Sequence, residues 1–180
     1  MKKIITILTV IAMFGFQACE GPEGPEGPPG EAGPNSEVFE VSGVKFDTTN
    51  GYAPLIPLNP AIQASDMVLV YRLSGSTNTG ADIWKLLPET YYFDDGTKNF
   101  GYNFDFSIND VSIFLEGNDL ATVGNEYRLN QVFRIVIIPG YLTYASTGKN
   151  ANTKKIDYSD YNAVIKVYNV DDSNVKVLKY

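Results

Sequence analysis

Five consecutive triplets with glycine first constrain this chain more than any other feature. They run Gly21-Pro22-Glu23, Gly24-Pro25-Glu26, Gly27-Pro28-Pro29, Gly30-Glu31-Ala32 and Gly33-Pro34-Asn35. Proline at the second position and glycine at every third favour an extended polyproline-II backbone that has no internal hydrogen bonds. Such a stretch cannot enter a sheet or a helix, so it divides the chain into an N-terminal and a C-terminal part. Two readings of it stand. Glycine alone fits at the axis of three wound chains, so the unbroken period suits a trimer. A single chain would instead be a spacer of roughly 45 Å at about 3.1 Å per residue. Glu23, Glu26 and Glu31, with no lysine or arginine in the segment, weigh against winding three copies together.

Before the triplets lies a targeting segment. Lys2-Lys3 is a positive start, and Ile4 to Phe16 is a largely apolar run of 13 residues. That run is shorter than the roughly 20 residues a membrane span needs and suits a secretory signal. Ala18 then precedes Cys19, the only cysteine in the chain. The order of basic start, apolar run, small residue and cysteine resembles the lipobox of bacterial lipoproteins. Phe16 and Gln17 depart from its commonest form. The resemblance implies cleavage after residue 18 and acylation of Cys19 by a diacylglycerol and an amide-linked chain, palmitate among such acyl groups. Two or more acyl chains suffice for stable membrane anchoring, whereas one does not. The expected organisation is therefore 1–18 signal peptide, 19–35 lipidated cysteine and collagen-like stalk, and 36–180 folded domain.

Removal of residues 1–18 takes Lys2 and Lys3 away, leaving 12 of the 14 basic residues against 21 acidic, a net charge of −9. An acidic surface repels phosphate backbones, so nucleic acid is not an expected partner. Roughly 145 residues remain for the domain, a common single-domain size that buries a core without disulfides.

That domain reads as mainly β. Aromatic and β-branched residues are dense, with turn residues between them. Strands are expected at 38–46 with a bulge at Gly43, at 67–73, at 83–87, at 111–115, at 132–138 and at 175–178. The stretch 53–60 carries Pro54, Pro57 and Pro60 and reads as an edge strand or extended loop. Phe100, Tyr102, Phe104, Phe106 and Ile108 alternate with polar residues and glycine, the period of a half-buried strand. Asp94-Asp95-Gly96 before it signals a hairpin turn. Val132 to Ile138 is apolar except for Arg134, which suits a central strand. Tyr141 to Lys155 reads as a long loop. Tyr158, Tyr161, Ile165 and Tyr168 recur at helical spacing, with Asp157 or Ser159 as the cap and an end near Asn169. The expectation is an antiparallel β-sandwich with one short C-terminal helix, preceded by the collagen-like or polyproline-II stalk.

The order of segments also resembles a group of collagen-like lipoproteins of the Bacteroidota. After the lipobox and triplets come Met67-Val68-Leu69-Val70-Tyr71 and Trp84-Lys85-Leu86-Leu87-Pro88. Phe133-Arg134-Ile135-Val136-Ile137-Ile138-Pro139 and Asp160-Tyr161-Asn162-Ala163-Val164 come later in the chain. The resemblance implies a cell-envelope lipoprotein and carries over no functional residue beyond Cys19. Acidic residues directly after the lipidated cysteine, here Glu20, Glu23 and Glu26, resemble the signal that sends such proteins to the outer face of the outer membrane.

Chemistry is sparse. With no histidine, Ser-His-Asp and Cys-His sets and histidine metal sites are excluded. Ser-x-x-Lys occurs at Ser42-Lys45, Ser146-Lys149 and Ser173-Lys176, but in predicted strands or loops and not on the helix that mechanism uses. Asp94, Asp95, Asp105, Asp110, Glu116 and Asp119 supply carboxylates in number for glycoside hydrolysis, and read more simply as turns and a solvated face. Asp171-Asp172-Ser173-Asn174 and Asp94-Asp95 leave a calcium site open, although neither has the EF-hand spacing. Trp84 and the 12 tyrosines offer either a sugar- or protein-binding face, or core and cross-strand pairs. The expected function is a non-catalytic binding or structural module with no cofactor and no metal. It would be held at the membrane by its lipid, with a protein or glycan partner and the homotrimer left open. The alternative is a carboxylate-dependent hydrolase of glycans.

Overall fold

The computed structural model describes residues 36–145 and 156–180. The expected signal peptide, Cys19, the expected stalk, the Ser146-Lys149 pair and most of the expected long loop lie outside the described residues. Within them the protein is mainly β, with two sheets and a few short helices, an arrangement consistent with a β-sandwich.

The strands are β1 Glu37–Val44, β2 Leu55–Pro57, β3 Met67–Ser76, β4 Asp82–Leu86, β5 Glu89–Tyr92, β6 Lys98–Phe106, β7 Asp110–Gly117, β8 Gln131–Ile138 and β9 Lys176–Lys179. One sheet has the order β4-β3-β8-β1-β9 and the other β2-β7-β6-β5. All described pairings are antiparallel except β1 with β9, which is parallel. The expected all-antiparallel arrangement thus fails at one edge. The chain reaches β9 through a helix and crosses over, and parallel neighbours require such a connection.

Alternation decides which side chains meet between the sheets. Phe100 and Tyr102 of β6, Val111, Ile113 and Leu115 of β7, and Phe133 and Ile135 of β8 share one core with Val41 and Val44 of β1 and Val68 and Val70 of β3. Phe46 packs edge-on against Tyr102 and Phe133 within it. The alternating run fades along its length. Phe100 and Tyr102 are buried, Phe104 is half-buried and Phe106 is exposed, while Ile108 lies beyond the strand in the turn to β7 and is also exposed. Gly43 makes the expected bulge: its φ is +76°, and the β1–β8 register shifts between Val41 and Val44.

β3 and β8 are apolar on both faces because the five-stranded sheet is covered on its far side as well. There Leu69, Tyr71, Val136 and Ile138 pack against Tyr161, Val164, Tyr168 and Val170. Tyr161 and Val164 belong to a helix at Tyr161–Val167. It starts later than its spacing suggests. Asp160 is the cap, accepting from the Ala163 N–H, whereas Asp157 is taken up in its own turn by Ser159. The expectation of a single helix also falls short. In chain order, α1 is Asn125–Arg128, α2 is Gly140–Ala145 and α3 is Tyr161–Val167, with a 3-10 turn at Leu120–Thr122. α1 and α2 are too short for helical periodicity to show. α2 replaces the start of the expected loop. No helix among the described residues is long and apolar enough to cross a membrane.

Candidate functional site

Arg134 is the one polar break in the apolar β8 run, and it marks the site. By register Glu40, Arg134 and Tyr71 lie in one row across β1, β8 and β3, on the face that α3 covers. Arg134 Nε is 3.3 Å from Glu40 Oε2, and both side chains are mostly buried. Its Nη1 donates to the Tyr161 hydroxyl at 3.1 Å, and that hydroxyl donates to Asp172 Oδ2 at 3.1 Å. A continuous chain therefore runs from carboxylate through guanidinium and phenol to carboxylate. Burial pushes the Tyr161 hydroxyl up to about 12, with Arg134 pulling against it and Asp172 adding to it. At neutral pH Tyr161 keeps its proton and can donate.

Trp84 stands beside this chain on β4. The Arg134 guanidinium carbon lies 4.2 Å from the Trp84 ring centroid and 5.3 Å from that of Tyr161. The Trp84 and Tyr161 rings are 6.1 Å apart and tilted by 38°. Around them opens a cleft of about 420 Å³, lined also by Asp82, Ile83, Asn162 and Asp172. Half-buried Trp84 and buried Tyr161 form its aromatic wall, and exposed Asp82 and Asn162 its polar rim. An aromatic wall with a few fixed polar groups suits a ligand that has an apolar face and hydroxyls at its edge.

The other polar residues named from sequence are engaged in local structure. Asp95 Oδ1 accepts from the Thr97 backbone and hydroxyl, and Asp171 Oδ1 accepts likewise from Ser173. Asp110 accepts from Ser107, and Glu116 binds Lys98 and Asn103. Asp94, Asp105 and Asp119 are exposed. The Thr97 hydroxyl holds the Asp95 carboxyl below the usual range, Lys98 does the same for Glu116, and Ser173 for Asp171. Ser42 lies in β1 and donates to the Leu178 carbonyl at 3.4 Å, and Ser173 lies in a turn before β9. Neither serine is on a helix with its lysine. Among the described residues no group of three or more Asp, Glu, His or Cys side chains gathers.

Sequence reasoning singles out Trp84 and sees Arg134 only as an interruption. It places Tyr161 on the buried face of a helix, which is correct, without its hydroxyl contacts. Asp82 and Asn162 carry no signal, because only folding brings β4 and the start of α3 together.

A second polar cluster lies between the sheets. Arg72 of β3 meets Glu89 through Nε–Oε2 at 2.8 Å and Nη2–Oε1 at 3.2 Å. Arg72 also donates to Gln131 Oε1 at 3.2 Å and to the Tyr91 hydroxyl at 2.5 Å, and lies over the Tyr102 ring at 4.8 Å. Every partner is satisfied, so the cluster clamps β3, β5 and β8 together. No family model, no curated protein and no solved structure matches this chain.

Proposed function

We propose that this is a collagen-like cell-envelope lipoprotein whose β-sandwich domain is a non-catalytic binding module. Cys19 carries the lipid anchor in the outer membrane, and residues 20–35 hold the domain roughly 45 Å away, a reach that suits the cell surface. The domain binds neutral glycan segments in the Trp84 cleft. The observation that carries this reading is the Trp84–Arg134–Tyr161 stack set in an open cleft with Asp82, Asn162 and Asp172 at its rim. Sugar rings offer an apolar face for the aromatic wall and hydroxyls for those polar groups. Binding without catalysis is supported by the carboxyl groups. Those of Asp95 and Asp171 are engaged in local turns with Thr97 and Ser173, and that of Glu116 pairs with Lys98.

Trp84 is the only tryptophan, so intrinsic tryptophan emission reports on this cleft alone. Titration of the soluble mature chain, carrying Cys19→Ser, with a panel of neutral oligosaccharides should give a saturable change in emission and no shortened products. No response to any member of the panel defeats the binding reading, and product release replaces it with the hydrolase. Protease shaving of intact cells tests the location. A domain that survives shaving and is cut only after the outer membrane is broken faces the periplasm.

A further inference from the structure

The two sheets part at the β1–β9 edge, and a second cleft of about 530 Å³ opens there. β9 widens the larger sheet, while the facing sheet ends in the three-residue β2. The register places Phe39 beside Lys176 and Val41 beside Leu178. Val41 belongs to the interlayer core, so Phe39, Lys176 and Leu178 all turn toward the space between the sheets. Leu58 and Ile137, both core residues, form its floor. The volume falls in the range of small-molecule sites.

Three charged side chains line this cleft of mixed polarity: Glu37, Asp171 and Lys176. None of them forms an ion pair with another described residue. Their sum is one negative charge. Ser36, 7% exposed, also lines the cleft, and its Oγ is buried with no hydrogen-bond partner among the described residues.

We propose that this cleft is a ligand site, separate from the Trp84 cleft, for a small amphiphile with an apolar body and a primary ammonium head. The body lies on Phe39, Leu58, Ile137 and Leu178. The ammonium pairs with the Glu37 and Asp171 carboxylates and brings the cleft to neutrality. A carboxylate head would instead meet two like charges and one opposite one.

The test compares octylammonium, 1-octanol and octanoate at pH 7. Each is titrated into the isotope-labelled mature chain carrying Cys19→Ser and followed by amide and indole NMR shifts. Octylammonium should bind most tightly and octanoate least. The shifts should centre on Phe39, Ile137 and Leu178, with the Trp84 indole unmoved. Glu37→Gln and Asp171→Asn should each weaken octylammonium about three- to five-fold and leave 1-octanol unchanged. Leu178→Trp should fill the cleft and remove binding of all three. The proposal is overturned if octanoate binds as tightly as octylammonium, or if none of the three shifts the cleft resonances. It is equally overturned if the two charge-removing variants leave octylammonium unaffected. Those two surface changes keep the test decisive even where Leu178→Trp perturbs the fold. A responsive Trp84 with a silent second cleft would defeat this proposal and leave the glycan reading standing.

Discussion

The Arg134 guanidinium lies 4.2 Å from the centre of the Trp84 ring, and the same group donates to the Tyr161 hydroxyl. One residue of a central strand thereby orients both aromatic walls of the cleft. Arg134→Ala should release Trp84 to solvent and shift its emission to longer wavelength. It should also leave Glu40 unpaired and cost about 3 kcal/mol in urea unfolding. Arg134→Lys keeps the charge but loses the planar stack and should recover only part of the stability. Trp84→Ala should weaken glycan binding about tenfold by calorimetry while leaving the fold intact. An unchanged affinity would remove Trp84 from the site.

Glu89 gives the domain a dependence on acid. Burial opposes its ionisation, but the hydrogen bonds and charge of Arg72, aided by Tyr91 and Lys85, outweigh burial and hold its carboxyl below the ordinary value of 4.5. Below about 4.5 the unfolded chain takes up a proton that the folded chain still refuses. The stabilisation is therefore complete above that pH and is lost as pH falls through the lowered folded value. Glu89→Gln should cost about 3 kcal/mol at pH 7. Urea midpoints at pH 6 and pH 3 should differ more for the wild type than for Glu89→Gln. Equal differences would mean that Glu89 does not carry the dependence.

At Gly101 the strands β5 and β6 approach closely. A Cβ there would sit 2.9 Å from the Glu89 carbonyl oxygen, part of the backbone and unable to turn aside. Gly101→Ala should destabilise the domain by about 1–3 kcal/mol, read as a lower urea midpoint with an unchanged slope. A neutral result would show that β5 can shift outward without loss.

Cys19→Ser should move the protein from the membrane fraction to the soluble fraction, and residues 36–180 alone should unfold cooperatively. A Cys19→Ser protein that stays with membranes contradicts the lipid anchor. A domain that unfolds without cooperativity would show that the stalk, as a trimer, supplies stability. Sizing of the soluble chain with and without residues 20–35 separates the spacer from the wound trimer.

Much of the fold was legible because it rests on local rules. Period-two burial located β6 and β7, the prolines at 54, 57 and 60 marked an edge at β2, and the apolar run at 132–138 marked the centre of a sheet. Helical spacing placed Tyr161 and Tyr168 on the face that packs against the sheet, but it named the half-buried Ile165 where Val164 is the fully buried residue. What the sequence could not carry is partnership over distance. Arg72 and Glu89 are 17 residues apart and become a buried pair only when β3 and β5 face each other. Arg134 and Glu40 are 94 apart and meet only because β1 and β8 are neighbours in the sheet. The parallel β9, which opens the second cleft, depends on a crossover that no local pattern encodes. Periodicity reports which face of an element avoids water. Which elements share that face depends on how the chain closes its loops, and both clefts lie at such closures.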